Sequence, residues 1–541
     1  MFKQYTKKEN TIIILIIIGF LFLTSAPFLI GYLIAGKDYF LGGSYLSQQD
    51  VNVYVSYIEQ AKEGKFLFSN LFTSEPQKGL FFGPLWLVLG WLAKFLNLNG
   101  LLVFHLARII LGFFFLLFIF YYFLNIFFKK FFDKLVAFLL ICFPTGLGFL
   151  FNHNLKDLIN KGASFKVFLP ADLFLPETNT FLSLSYSALF IVAQLFVLLI
   201  FYIFLKKDTQ KINYFYLFAI SLILGFIHPF DVVVVLAVLL TYFIISLILK
   251  DLKLIENTKA YIIKYLFLAI GFLSALLYFY FVVRPEAAIW GWFRQNVTLS
   301  PPLAGYLVAY AVLIFFSLIS VYLMVKKNVK AVCFLLCWII TLAYLIYSPL
   351  PFQNRFIDTM QIALSLLAAY SLAIMASKIM QSKLYLKILA LGLFLILIVL
   401  ANGAFLVTEI YAYNTLAGYF YFPSSYYQAA LWLKNNSQDD EPILAEALNG
   451  QALPAIIARP VYIGHHIQTL DWQRKILLLN EWFFKDNNQD VFKKEFLKAN
   501  NLKYIFYTKR EQSLGTYNLD KADFLEKVYI NDEVKIYKVI N

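Results

Sequence analysis

Gly79-Leu80-Phe81-Phe82-Gly83-Pro84-Leu85-Trp86-Leu87-Val88-Leu89-Gly90-Trp91-Leu92-Ala93-Lys94-Phe95-Leu96 is the stretch on which the topology of this chain turns. It is apolar, but Pro84, Trp86, Trp91 and Lys94 suit a helix lying at, or dipping into, a membrane interface. The lysines beyond it decide. They gather as Lys129, Lys130 and Lys134; Lys206, Lys207 and Lys211; Lys250, Lys253 and Lys259; Lys326, Lys327 and Lys330; and Lys378 and Lys383. If 79–96 stays at the interface, all of these clusters fall on the side of the N-terminus with Lys3, Lys7 and Lys8; if it crosses, all move outside. Short loops rich in Lys and Arg stay cytoplasmic. The stretch is therefore read as interfacial and the N-terminus as cytoplasmic.

Working outward, Thr11–Ala35, Leu101–Phe128 and Leu384–Ile410 each exceed the roughly 20 apolar residues that cross a hydrocarbon core of about 30 Å. Backbone amides have no water to bond there, so such runs must be helices. Further spans are expected at Leu135–Phe151, Leu182–Leu205, Asn213–Ile227, Asp231–Leu249, Ala260–Val283, Leu303–Val325, Ala331–Tyr347 and Phe356–Ala376. The fold class expected is an all-α polytopic membrane protein with about 11 transmembrane helices plus one interfacial helix. The first run follows lysines, as a signal peptide would, but it is too long and closes on no small-residue cleavage site. It is expected to remain as the first membrane helix.

The composition agrees. Of 541 residues, 61% are hydrophobic and only 14% charged, with a mean hydropathy of +0.71, against about 45–50% apolar and about 25% charged in soluble domains. The formal charge of +14 fits lysines facing an anionic leaflet. No basic stripe interleaved with exposed aromatics points to nucleic acid, which is excluded as a partner. Cys142, Cys333 and Cys337 all lie in apolar runs, so disulfides are not expected to staple the outer parts, and Cys333 with Cys337 reads as packing.

The parity places 36–100, 152–181, Arg284–Pro302 and Ser348–Arg355 outside, together with the His228–Pro229 break. After Ile410 the composition turns polar. Residues 1–422 are read as a transmembrane domain with outer loops 36–100 and 152–181, and residues 423–541 as a small soluble α/β domain outside the membrane. Within the latter, Ser425–Lys434 reads as helix, and Pro442–Leu444, Pro460–Ile463, Lys503–Tyr507 and Val534–Val539 as short strands.

Candidate chemistry gathers in the outer segments. Asp50 falls near the start of a helix-like Val51–Gly64, where it is either a general base or an N-cap. Glu177, in Pro176-Glu177-Thr178, is a candidate acid, sugar ligand or part of a cation site. Its plainer reading is favourable charge at a helix N-terminus with Thr178 as the cap. His228 and Asp231 interrupt an apolar run, and polar groups at such a break face a cavity or partner rather than lipid. In Ser348-Pro349-Leu350-Pro351-Phe352-Gln353-Asn354-Arg355, the guanidinium offers a planar fork for a phosphate, with Lys78 as a second charge. Both cations also suit snorkelling toward headgroups. Arg284 and Arg294 are further cationic candidates. No GxxxxGK[ST], HExxH or CxxC occurs, and the inner loops are too short for a nucleotide-sugar domain. An activated donor would have to be reached from the membrane or the outer side.

This arrangement resembles the GT-C superfamily of membrane glycosyltransferases, which includes protein O-mannosyltransferases, lipid A aminoarabinose transferases and oligosaccharyltransferase catalytic subunits. The resemblance rests on Gln49-Asp50 with Tyr54, Tyr57 and Ala61, on Glu75-Pro76-Gln77-Lys78-Gly79 through Trp86, and on Ala107-Arg108. It implies that Asp50 is the catalytic acidic residue and that Lys78 lies near a carrier phosphate. Leu175-Pro176-Glu177, Ile227-His228-Pro229-Phe230-Asp231, Phe352-Gln353-Asn354-Arg355 and Val461-Tyr462-Ile463-Gly464-His465-His466-Ile467-Gln468-Thr469 resemble a bacterial branch of that superfamily. There a glycine turn would present polar side chains such as His465. The paired acidic residues common in the first loop and the WWD-type motif of oligosaccharyltransferases are missing.

The expected function is transfer of a sugar from a polyprenyl-phosphate carrier to a lipid, glycan or protein hydroxyl at the outer face of a bacterial plasma membrane. Asp50 would take the acceptor proton, Arg355 and Lys78 would hold the phosphate, and Glu177, His228, Gln353 and His465 would bind substrate. A divalent metal could bind through Asp50 and Glu177, though nothing demands one. The rival reading is a transporter or flippase of lipid-linked saccharides, which predicts polar residues deep in several helices. A non-catalytic scaffold is the third.

Overall fold

The computed structural model describes residues 5–143, 146–161, 168–206, 212–324, 328–381, 384–487 and 489–540. Lys3, Lys207, Lys211, Lys326, Lys327 and Lys383 lie outside the described residues. The chain divides into two compact units.

The first unit comprises Met1–Pro27, Leu106–Leu277 and Val297–Thr415. Its helices are apolar on all sides. Along Leu303–Met324, Tyr310 and Leu313 are buried while Phe315, Leu318 and Tyr322 stand 59%, 67% and 84% exposed. Such a helix suits a medium as apolar as its own core. Among the described residues, seven helices are long and apolar enough to cross a membrane. They are Lys7–Ala35, Gly100–Ile126, Ala188–Leu205, Pro229–Ile248, Thr258–Val283, Leu303–Leu323 and Gln353–Ile379.

Several expected spans prove shorter or broken. The run read as 135–151 is a helix only over Phe131–Cys142, followed by a 3-10 turn at Gly148–Phe151. The run read as Leu182–Leu205 splits at Ser187, whose extended backbone ends Thr180–Tyr186 and whose side chain caps Ala188–Leu205 through the Leu189 amide. Asn179, not Thr178, caps the first of these by accepting from Leu182 N. The break at His228–Pro229 is present: one helix ends at Ile227 and the next opens at Pro229, where a missing N–H costs nothing. Lys134, read as facing headgroups, is buried and donates to the Tyr5 hydroxyl at 2.8 Å and to Asn125. Arg108 is also buried. It donates to the backbone carbonyls of Thr24 and Leu184 and to the Ser25 hydroxyl, joining three helices. The three cysteines are free.

The second unit comprises Phe28–His105, Tyr278–Asn296 and Leu416–Asn541. The decisive stretch forms a helix over Pro84–Leu96, about 20 Å long at 1.5 Å per residue and short of a hydrocarbon core. It packs on the helix Gln48–Lys62, where Gly90 lies so close that a Cβ would meet the Ala61 Cβ at 2.2 Å. Its other face leaves Trp91 and Phe95 exposed. Six strands follow in chain order: β1 (Tyr39–Phe40), β2 (Tyr421–Phe422), β3 (Ile443–Leu444), β4 (Tyr504–Tyr507), β5 (Leu525–Ile530) and β6 (Lys535–Val539). β1 pairs antiparallel with β2. The other four form a sheet ordered β3-β4-β6-β5, parallel at β3–β4 and antiparallel elsewhere. The expected helix appears as Ser424–Asn436. Of the expected strands, Pro460–Ile463 contributes only isolated bridges, at Val461 and Ile463. Leu525–Ile530 was not foreseen, because its exposed residues Glu526 and Lys527 blur the alternation.

Candidate functional site

Polar side chains with chemical potential gather at one locus in each unit.

In the second unit the locus starts from the helix Gln48–Lys62. Ser47 occupies the N-cap position, so Asp50 stands in the first turn rather than capping. Its carboxylate is 37% exposed, and Oδ1 meets His465 Nε2 at 3.2 Å. The backbone amides of Ile467 and Gln468 both donate to His465 Nδ1, at 3.1 and 3.2 Å. An imidazole nitrogen that accepts carries no proton, so the ring proton sits on Nε2 and is donated to Asp50. His465 is 3% exposed and thus fixed in tautomer and direction.

The loop carrying His465 is held from several sides. Gly450 and Gly464 approach closely enough that a Cβ on Gly450 would meet the Ile463 carbonyl oxygen at 1.9 Å. Gly464 N donates to Thr469 Oγ1, and that hydroxyl donates to the Phe72 carbonyl. Asn70 Nδ2 donates to the Gln468 carbonyl. Beside it, His466 stacks on His465 with centroids 4.9 Å apart, and its Nδ1 contacts Gln49 Oε1. Burial above all lowers the pKa of His466, and the nearby Asp50 opposes that. Tyr419 hydrogen-bonds Gln49, and burial raises its pKa, keeping the phenol protonated near Asp50. Below the loop, Lys475 is buried and pairs with Glu75 at 2.7 Å; burial pulls its pKa down and Glu75 opposes that. Lys78 is exposed, with no ion pair among the described residues.

In the first unit, Glu177 lies on the 3-10 turn Pro176–Thr178 and Arg355 on the 3-10 turn Gln353–Ile357. Arg355 Nη1 pairs with Glu177 Oε1. Glu177 is fully buried, whereas the Arg355 side chain keeps 22% exposure. Gln353 has both ends of its amide committed to backbone, accepting from Ser300 N and donating to the Ser348 carbonyl. It fixes the turn that carries Arg355. Asp172 accepts from Gly148 N at 3.1 Å, and burial pushes its carboxyl up to about 6.

His228 faces Asp231 one turn on, Nδ1 to Oδ2 at 3.0 Å. Asp358, which sequence reasoning missed, lies with them: one donor atom from each of the three falls within 4.8 Å of the others. Gln194, also missed, donates to Asp358 Oδ1 at 2.6 Å and to the Ser183 hydroxyl at 2.9 Å. The signal was present, since a carboxylate inside an expected span marks a site by its solvation cost.

The chain matches no protein-family model and no curated protein. Among solved structures, the archaeal oligosaccharyltransferase AglB from Archaeoglobus fulgidus, in complex with an inhibitory peptide and a dolichol-phosphate, aligns with a TM-score of 0.56. That alignment has 13% identity and covers 94% of this chain and 70% of that one. Its apo form aligns with a TM-score of 0.52 at 12% identity, over 95% and 72% of the two chains. The mycobacterial arabinofuranosyltransferase AftD aligns with a TM-score of 0.53 at 10% identity, covering 96% of this chain and 41% of that one. These are GT-C glycosyltransferases, and at such identities the likeness is one of fold. The chain has the GT-C fold and is a multi-pass membrane protein.

Proposed function

We propose that the protein is a membrane glycosyltransferase that moves a sugar from a polyprenyl-phosphate carrier to an acceptor hydroxyl at the outer face of a bacterial plasma membrane. The observation that carries this reading is the Asp50 carboxylate, part exposed on a first helical turn and held by a buried imidazole of fixed tautomer. Such a carboxylate is held in a fixed direction by its donor, as a general base requires. Asp50 takes the proton of the acceptor hydroxyl, whose oxygen forms the new bond to the anomeric carbon. The bond from that carbon to the carrier phosphate breaks, and the phosphate leaves with the electron pair. His465 positions Asp50.

In the first unit, Arg355, anchored by Glu177, is the candidate cation for the carrier phosphate; Gln353 positions its turn. Lys78 is a weaker candidate for the same charge. A dolichol-phosphate bound to AglB is in keeping with a lipid-phosphate partner. The acceptor class is a lipid, glycan or protein hydroxyl. The finer topology belongs to the same reading: eleven spans, an interfacial 79–96, a cytoplasmic N-terminus and an extracytoplasmic 423–541.

The test is transfer of radiolabelled sugar from a panel of polyprenyl-phosphate sugars by the purified protein in lipid, beside Asp50→Asn. Transfer that the substitution abolishes, with folding intact, supports the reading and its base. Transfer that survives it removes Asp50 from that role. Carrier movement across vesicles without transfer would favour the flippase instead.

A further inference from the structure

Three side chains of the first unit, among them His228, which the sequence reading gave a substrate-binding role, are arranged as a metal site. His228 precedes the helix Pro229–Ile248, Asp231 stands in its first turn, and Asp358 ends the turn that leads into the helix Met360–Met380. All three are buried, at 4%, 1% and 0% exposure. One donor atom of each lies within 4.8 Å of the other two. Donors around one tetrahedral ion at about 2.1 Å lie about 3.4 Å apart, so side-chain rotation that draws these three atoms together would complete the set.

The hydrogen bonding around the cluster leaves a gap of the right kind. Asp358 Oδ1 accepts from Gln194 Nε2 at 2.6 Å and from Thr359 N at 2.9 Å. Its Oδ2 and both oxygens of Asp231 receive no hydrogen bond from any other side chain or backbone amide among the described residues, and the two carboxyls lie within hydrogen-bonding reach of each other. The 3.0 Å approach of His228 Nδ1 to Asp231 is close in distance but not aligned as a hydrogen bond. One carboxylate oxygen oriented by donors and the other left bare is how ligating carboxylates are held. Phe190 and Phe230 flank His228, with ring centroids at 5.7 and 5.3 Å. Glu177 is already paired with Arg355. Uncompensated charge in an apolar interior is costly, so two buried carboxylates facing one imidazole are relieved either by a proton held between them or by a bound cation.

The geometry points to a divalent transition-metal ion held by His228 Nδ1, Asp231 and Asp358. An imidazole with two carboxylates suits Mn2+ or Zn2+ better than the all-oxygen ions Mg2+ or Ca2+. The ion ties the first turn of Pro229–Ile248 to the turn that carries Arg355 three residues before Asp358. Its role is to position that turn, and the assignment stands whether or not the protein transfers sugars.

The test uses the full-length protein in lipid nanodiscs, stripped with chelator and titrated with Mn2+ alone. The expected result is about one tightly bound ion per chain, displaced by Zn2+, with a nitrogen-14 modulation in its pulsed EPR spectrum. That modulation disappears in His228→Gln and persists in His465→Gln, which separates this site from the imidazole beside Asp50. Asp231→Asn and Asp358→Asn each weaken Mn2+ binding at least tenfold. Wild-type protein that binds neither Mn2+ nor Zn2+ at one equivalent overturns the assignment, whatever the variants do. So does a nitrogen-14 modulation that survives His228→Gln, or tight binding unchanged in both aspartate variants. Monodisperse elution of each variant confirms that it folds.

Discussion

His465 and Asp50 are separated by 415 residues and meet through one hydrogen bond of 3.2 Å, whose direction is set by two backbone amides on the far side of the imidazole. The relationship makes Asp50 a carboxylate with a fixed partner rather than a helix cap. It also divides the roles. Asp50 would touch the reacting hydroxyl, and His465 would act through Asp50.

Asp50→Asn should lower sugar transfer by about 10²–10⁴-fold, the usual range for loss of a general base. His465→Ala should lower kcat less, with KM for the carrier unchanged. His465→Asn, which keeps a donor, should recover part of the loss. Steady-state kinetics on the three variants check this; equal losses in all three would assign the chemistry to His465 itself.

Gly450→Ala should displace the His465 loop, because the new Cβ would lie 1.9 Å from the Ile463 carbonyl oxygen. Overpacking of this kind costs about 1–3 kcal/mol. Transfer should fall by about as much as in His465→Ala, and combining the two should add little. Additive losses would show that the glycine contact does not work through His465.

Arg355→Ala should destabilise the protein by about 3 kcal/mol, since it strands the buried carboxylate of Glu177. Glu177→Gln combined with Arg355→Ala should recover most of that stability but not the carrier binding. Unfolding in graded detergent denaturant, run beside carrier-phosphate binding, separates the two effects.

The raised Asp172 carboxyl carries a pH dependence. Its folded pKa, about 6, lies above the ordinary value of 3.8, so the folded state holds the proton more tightly than the unfolded chain does. The stability this provides is complete below the unfolded pKa and is lost as pH rises through about 6. Wild-type Tm should therefore decline between about pH 4 and pH 6 and level off above that, and Asp172→Asn should flatten that decline. A slope unchanged in Asp172→Asn would place the titrating group elsewhere.

Cysteines introduced at Lys78 and Lys330 should react with a membrane-impermeant maleimide from opposite sides of sealed vesicles. Labelling of both from the same side would overturn the interfacial reading of 79–96.

The sequence determined the membrane class, because long apolar runs leave a chain only one way to satisfy its backbone in lipid. It also determined the break at His228–Pro229, where proline and polar groups cannot continue an apolar span, and the short helix at Pro84–Leu96, whose N1 proline is a local signal. Local patterning also placed Asp50 near a helix start. It did not show that Ser187 would split an apolar run, or that Lys134 would be buried, since both outcomes depend on neighbours distant in the chain. Tertiary structure alone brought His465 to Asp50, Arg355 to Glu177, and Asp358 to His228 and Asp231. Hydropathy and helical periodicity act over a few turns, whereas these pairings join residues more than a hundred positions apart. They are set by which helix faces and loops pack together, and by the cost of leaving a buried charge without a partner.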